Sequence, residues 1–313
     1  MKVLLPNSIP LHPHLPEGVS SFVYDTHAAI PPEHRDAEAL VIWQSPAERL
    51  ATMPHELPHL RWIQSLMAGT DSIEAAGFDP AIRLTSGKGL HDRPVAEHTL
   101  ALILSAARRL DQSFAAQTRR EWRHSWDADQ PFASVDSFST LTGARVLIWG
   151  FGGIGTLLAE YLTVLGAEVT GIARSSGERG GYQVRTPADL PQLLPDTDVL
   201  VNILPATTAT AGIVDERVLR ALPPRAWVVN VGRGATLDEP ALLHALESGV
   251  IAGAALDVFA TEPLPTDSPL WNAPNMIITP HAAGGRPHNP EALIEQNLQL
   301  LLSDAPLVNE VSA

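Results

Sequence analysis

The stretch Val146-Leu147-Ile148-Trp149-Gly150-Phe151-Gly152-Gly153-Ile154-Gly155 decides how this chain is read. An apolar strand runs directly into a G-x-G-x-x-G turn, and a helix is expected from Thr156 to Leu165. That context separates a dinucleotide-binding loop from a chance run of glycines. Gly150 permits the tight turn, Gly152 lets the backbone approach a pyrophosphate, and Gly155 allows the helix to pack closely on the strand. Gly153 and Ile154 stand where the turn enters the helix, whose free N–H groups and positive dipole end favour an anion. A ligand-free glycine turn is the competing reading, and the complete strand, turn and helix order weighs against it.

The next expected strand, Glu168-Val169-Thr170-Gly171-Ile172, leads into Ala173-Arg174-Ser175-Ser176. In NAD-binding loops a carboxylate about 20 residues beyond the glycines holds the ribose 2′-OH, whereas an arginine accommodates the 2′-phosphate of NADP. Ala173 stands at the acidic position, and Arg174 follows with two hydroxyls beside it. A charge-assisted contact of about 1.5–3 kcal/mol corresponds to a preference of roughly 10- to 100-fold. NADP(H) is therefore the preferred cofactor and NAD(H) a possible one; an exposed loop arginine in an NAD enzyme is the alternative.

Working outward, strands are expected at Val199 to Leu204, Trp227 to Val231, Gly253 to Val258 and Met276 to Thr279, with helices such as Asp215 to Leu222 and Glu239 to Ser248 between them. This alternation makes a doubly wound parallel sheet. Before it, short strands at Val3 to Leu5, Phe22 to Tyr24, Leu40 to Trp43, Arg61 to Ser65 and Arg83 to Thr85 mark a smaller parallel α/β domain without a glycine loop. A helix opens at Asp92-Arg93-Pro94 and runs to about Arg109, apolar enough to be buried on more than one side. Gln112 to Ser139 is polar, carries Trp122 and Trp126, has no clear strand pattern, and reads as an arm packing on another subunit, with a simple surface excursion as the alternative. A final helix, Glu291 to Leu302, follows the completed sheet and is expected to return to the first domain.

The 313 residues are 45% hydrophobic and 18% charged, with a formal net charge of -14 and no cysteine. Such a chain is an ordinary globular protein with a length prior of about two domains. The acidic balance argues against a nucleic-acid partner. The missing cysteines exclude disulfides, thiolate metal sites and a thiol nucleophile. No stretch reads as a signal peptide or membrane span, so the expectation is cytoplasmic with no membrane partner. His12 and His14 suggest no metal site, because no third ligand is evident nearby.

Three polar residues fall just beyond expected strand ends: Arg233 in Asn230-Val231-Gly232-Arg233-Gly234, Glu262 in Leu256-Asp257-Val258-Phe259-Ala260-Thr261-Glu262-Pro263-Leu264, and His281 in Thr279-Pro280-His281. The carboxyl ends of strands line the ligand crevice of an open α/β sheet. Hydride reduction of a carbonyl needs an acid for the developing alkoxide, and an anionic substrate needs a cation to hold it. Arg233 offers the planar fork, and His281 is the natural acid, with neutral imidazole as base in the reverse direction. A carboxylate such as Glu262 within hydrogen-bond reach fixes the imidazole's tautomer and stabilises its protonated form.

On these residues, together with Asn202-Ile203-Leu204-Pro205 and Leu60 to Asp71, the chain resembles the D-isomer-specific 2-hydroxyacid dehydrogenases, most of all the glyoxylate/hydroxypyruvate reductases. The resemblance covers almost the whole chain. It implies a Rossmann cofactor domain over residues 96–285, with a dimerisation arm at about 110–142. It also implies a smaller flavodoxin-like α/β substrate domain from residues 1–95 and 286–313, and a homodimer. It further implies that the backbone N–H groups of Ala68 and Gly69, with Arg233, hold the substrate carboxylate. Leu204, Pro205, Thr210, Val231, Asp257, His281 and Gly284 join Gly150, Gly152, Gly153, Ile154, Gly155, Arg174 and Ser175 at the cofactor, with Asp257 at the nicotinamide amide. Trp122 is the arm tryptophan expected to reach a neighbouring active site, and His91, His98 and His124 are left to surface or interface. The expected activity is NADPH-preferring reduction of small 2-keto acids to D-2-hydroxy acids. The alternatives are an NAD-dependent lactate- or phosphoglycerate-like dehydrogenase and a non-catalytic NAD(P)H-sensing binding protein.

Overall fold

Residues 1–122 and 137–311 are described by the structure, a computed structural model. His124, Trp126 and the centre of the expected arm lie outside the described residues. The chain divides into two compact units, Met1–His91 with Arg286–Ala313, and Asp92–Gly285. The division falls before Asp92 rather than after Val95, because Asp92 already begins the helix Asp92–Ala107.

The first unit holds a parallel sheet of β1 (Lys2–Pro6), β2 (Ser20–Tyr24), β3 (Ala39–Ile42), β4 (Trp62–Ser65) and β5 (Arg83–Thr85), in the order β2-β1-β3-β4-β5. That is the strand order of flavodoxin-like sheets. β3 and β4 are buried at every residue, as strands covered on both faces must be. Alternation of side chains sends Val3, Leu5 and Val41 to one face, where Leu293, Ile294, Leu298 and Leu301 of the helix Pro290–Leu302 complete the core. Leu4, Leu40 and Ile42 go to the other, against Leu50 and Met53 of the helix Ala47–Glu56.

The second unit is an eight-stranded sheet ordered β13-β12-β11-β10-β6-β7-β9-β8. Its strands are β6 (Arg145–Trp149), β7 (Glu168–Ile172), β8 (Gly177–Arg179), β9 (Tyr182–Arg185), β10 (Val199–Asn202), β11 (Trp227–Asn230), β12 (Gly253–Leu256) and β13 (Met276–Ile278). All neighbours are parallel except the hairpin β8–β9. Strand order reverses at β6, with β7 on one side and β10 on the other. Such a switch point opens the crevice that receives a ligand. Val146, Ile148, Val201 and Val229 face the helices Asp92–Ala107 and Gly153–Val164, whereas Leu147, Trp149, Leu200 and Val228 face Glu216–Ala221 and Glu239–Glu247. The latter two helices are capped by Asp215 and Asp238, whose carboxylates accept from Val218 and Ala241 N–H at 3.0 Å.

One expectation changes, and two elements not read from the sequence are added. The helix Asp92–Ala107 buries one stripe, Val95, Ala96, Thr99, Leu102, Ile103, Ala106 and Ala107, and leaves Ala101 exposed. The segment read as an arm begins with a helix, Leu110–Arg119, its ends turned by left-handed Arg109 and Arg120. The segment after Ser176 forms the hairpin β8–β9.

Candidate active site

The glycine loop leaves β6 at the switch point. Gly150 has φ 106°, and a Cβ there would stand 2.5 Å from the Ile203 carbonyl oxygen, so the turn demands glycine twice over. Gly152 caps the helix Gly153–Val164 on open ground, and Gly155 packs on the Gly150 carbonyl. Among the described residues the N–H groups of Gly153, Ile154 and Gly155 have no hydrogen-bond acceptor. Unpaired donors at a helix start, beside a loop with room for an anion, fit a pyrophosphate.

Beyond β7, Arg174 and Ser175 are exposed where the ribose phosphate was expected. Among the described residues Arg174 makes no hydrogen bond or ion pair, so its guanidinium is available to a ligand. A second arginine, unforeseen in the sequence, lies beneath. Arg179 on β8 donates from Nη1 to the Phe151 carbonyl at 2.8 Å and from Nη2 to the Ser175 hydroxyl at 2.9 Å.

Arg233 follows β11 in a turn fixed by buried side chains. Asn202 donates to the Thr236 hydroxyl at 2.6 Å, Thr236 donates to the Arg233 carbonyl at 2.6 Å, and Asn230 donates to the same carbonyl at 3.2 Å. All three side chains belong to fully buried residues, and they satisfy one another. Gly234 abuts the backbone of Phe259 and Ala260, and Gly232 abuts that of Leu204. The Arg233 turn thus packs directly on the segments that carry Leu204 and Glu262. The fork itself donates from Nη1 to the Gly232 carbonyl at 2.8 Å and is partly exposed.

Glu262 and His281 meet. Glu262 Oε1 accepts from Phe259 N–H at 2.9 Å, and Oε2 lies 2.7 Å from His281 Nδ1. A carboxylate only accepts, so Nδ1 carries the proton and Nε2 is left to exchange one with a ligand. The imidazole is 48% exposed, which keeps that nitrogen reachable. His281 has φ 50° and is held there by its N–H, 2.7 Å from the Asp257 carbonyl.

Asp257, the residue expected at the nicotinamide amide, is bonded within the protein at the carboxyl edge of the sheet. It is fully buried, and its carboxylate accepts from Thr279 Oγ1 at 2.5 Å and from the N–H groups of Ala282 and Ala283 at 2.9 Å. Burial pushes the carboxyl up, but the bonds from His98, Thr279, Ala283 and Ala282 outweigh it and hold the group below the ordinary carboxylate range. The residue anchors the His281 loop. His98, left to surface or interface from sequence, joins the same anchor with Nε2 3.0 Å from Thr279 Oγ1.

The remaining cofactor candidates are placed more simply. Leu204, Val231 and Gly284 lie beyond β10, β11 and β13, on the same carboxyl edge, with Pro205 exposed. Thr210 closes its own loop, its hydroxyl 2.6 Å from the Pro205 carbonyl. In the first unit, Ala68 and Gly69 follow β4, and among the described residues their N–H groups have no acceptor. His91 is buried rather than superficial: it stacks on Trp43 and lies 2.7 Å from the Leu66 carbonyl, supporting that loop.

Together, a switch-point glycine loop and an oriented imidazole at the carboxyl edge of one sheet define a nicotinamide-dependent oxidoreductase. Comparison with known proteins agrees. Residues 100–283 match the model of the D-isomer specific 2-hydroxyacid dehydrogenase NAD binding domain. A glyoxylate/hydroxypyruvate reductase A of Serratia proteamaculans is 35% identical over 264 residues, 81% of this chain and 79% of that protein. The crystal structure of a D-isomer specific 2-hydroxyacid dehydrogenase family protein from Aeromonas salmonicida superposes with a TM-score of 0.82 at 29% identity, covering 99% of this chain and 98% of that one. An NADPH-dependent glyoxylate/hydroxypyruvate reductase of Sinorhizobium meliloti, solved with NADP and sulfate, gives 0.80 at 26% identity with the same coverage. The chain belongs to the D-isomer specific 2-hydroxyacid dehydrogenase family. Within it, the chain most resembles the glyoxylate/hydroxypyruvate reductases. It is an NAD(P)-dependent dehydrogenase of 2-hydroxy acids.

Proposed function

We propose that the protein is an NADPH-preferring reductase of small 2-keto acids of the glyoxylate or hydroxypyruvate type, giving D-2-hydroxy acids. The observation that carries the cofactor preference is the exposed Arg174 beside Ser175, without a hydrogen-bond or ion-pair partner among the described residues, with Ala173 where a carboxylate would repel the 2′-phosphate. NADP complexes of related reductases support the same reading. The bound cofactor supplies the hydride. Gly153, Ile154 and Gly155 N–H groups hold its pyrophosphate, while Leu204, Val231 and Gly284 border it. Arg233 grips the carboxylate and polarises the keto oxygen. His281 Nε2 gives its proton to that oxygen as charge develops, and Glu262 keeps the imidazole aligned throughout. Ala68 and Gly69 N–H groups are further carboxylate ligands by family resemblance.

The protein acts as a homodimer in this proposal. Phe114 is 62% and Trp122 85% exposed on the segment assigned to the arm, which supports that reading.

The test is a matrix of initial rates for glyoxylate, hydroxypyruvate, pyruvate and a phenyl-substituted keto acid, each with NADPH and NADH. The expected result is at least about 10-fold higher kcat/KM with NADPH, and highest rates with the two smallest polar acids. NADH equal to NADPH would sink the reading of Arg174.

A further inference from the structure

The 2′-phosphate reading leaves Arg179 without an assignment. Its place is unusual for a residue of a short, otherwise polar hairpin. β8 (Gly177–Arg179) and β9 (Tyr182–Arg185) extend the cofactor sheet at its edge, and β9 pairs with β7 beside the loop that carries Arg174. From there Arg179 reaches two loops. Nη1 donates to the Phe151 carbonyl, in the middle of the glycine turn, at 2.8 Å. Nη2 donates to Ser175 at both its hydroxyl, 2.9 Å, and its carbonyl, 3.3 Å.

The direction of those bonds sets the chemistry. A serine hydroxyl has one proton to give and two lone pairs. Because Ser175 Oγ accepts from a guanidinium, its own proton is free to point outward. A hydroxyl that accepts from a cation is also a stronger donor, since linked hydrogen bonds polarise one another. The exposed Arg174 stands next to it, with no protein partner among the described residues. Donors are thus presented outward and acceptors are turned inward, the arrangement an anion needs.

We infer that Arg179 is a positioning residue for cofactor choice: it locks Ser175 to the glycine loop as an outward donor and so preorganises a 2′-phosphate cradle with Arg174. The inference rests on the proposed NADP preference and says what builds it. A lysine in its place keeps the charge but lacks the rigid fork that spans two loops.

Binding, without turnover, tests this. Isothermal titration calorimetry of the full chain compares 2′,5′-ADP with 5′-ADP for the parent, Arg179→Gln, Arg179→Lys, Ser175→Ala and the double variant Ser175→Ala/Arg179→Gln. In the parent, 2′,5′-ADP binds the tighter. Both Arg179 variants lower the ratio of the two affinities by about 10-fold. In the Ser175→Ala background, Arg179→Gln changes the ratio little, because the two residues act as one unit. A parent that does not discriminate overturns the NADP reading and this inference together. A discriminating parent with the ratio unchanged in Arg179→Gln overturns this inference alone. So does a full rescue by lysine, or an additive loss in the double variant, since either makes Arg179 a plain charge rather than a positioning group.

Discussion

His281 occupies a left-handed backbone conformation that few side chains adopt freely, at a cost of order 1–3 kcal/mol. The cost is met by Asp257, whose carbonyl holds the His281 N–H and whose carboxylate holds the next two N–H groups. That division of labour between acid and anchor is tested at three residues. Replacing the acid, His281→Asn lowers kcat by about 10²- to 10⁴-fold while calorimetric affinity for NADPH stays close to the parent's; undiminished turnover would remove His281 from the chemistry. Glu262→Gln gives a kcat between those of the parent and His281→Asn, because the amide still touches Nδ1 but no longer dictates which ring nitrogen carries the proton. Replacing the anchor, Asp257→Asn turns one acceptor into a donor facing donors and destabilises the protein by about 1–3 kcal/mol at pH 7. The folded carboxyl of Asp257 sits below its ordinary value, so its contribution is complete above the unfolded pKa of about 3.9 and is lost as pH falls through the lower folded value. Urea unfolding of parent and variant therefore shows a constant gap from pH 7 to about 5 that narrows below about 4. A gap as wide at pH 3 as at pH 7 contradicts the anchor. His98 had no local signal in sequence: its partner Thr279 lies 181 residues away, just beyond β13. Asp257 was visible as a motif residue, but only the fold shows the backbone N–H groups that its carboxylate holds.

At the scale of elements, legibility followed burial. β6, β10 and β11 are parallel strands covered on both faces, so they appear as unbroken apolar runs, and each was placed to within a residue or two. The hairpin β8–β9 escaped notice because Gly-Glu-Arg and Tyr-Gln-Val-Arg bury only Val184, leaving no period to detect. The helix Leu110–Arg119 buries only Ala116 and left as little trace. Loops joined backbone to backbone were invisible for another reason: a glycine states that something approaches, not what. Gly234 is the sharpest instance, packed on Phe259 and Ala260 main-chain atoms that cannot rotate away. Gly234→Ala must separate the Arg233 turn from the segment that binds Glu262. The expected outcome is a loss of about 1–3 kcal/mol in stability, with KM for the keto acid raised more than the dissociation constant for NADPH. Parent-like KM and unfolding midpoint would show that the turn can move without consequence.

On the scale of the whole molecule, the helix Leu110–Arg119 raises a question its own chain does not answer. Ten residues are too few to hold a helix in water by propensity alone, below the roughly 12–15 at which isolated helices become marginal. Helices of this length persist by packing an apolar face, yet among the described residues Phe114 stays 62% exposed and Ala116 alone is buried. A second copy of the chain supplies that cover in the proposed homodimer. The formal charge of -14 opposes non-specific association, so a dimer must rest on local apolar contact of this kind. Sedimentation equilibrium is expected to give twice the 33.6 kDa chain mass for the parent. Phe114→Glu places a charge in the contact and shifts the equilibrium toward monomer by about 10-fold or more in dissociation constant, with circular dichroism showing a loss of helix that increases on dilution. A parent that sediments as a monomer, or a variant whose dimer is as tight as the parent's, assigns the cover of Phe114 to some other surface and removes the arm from the interface.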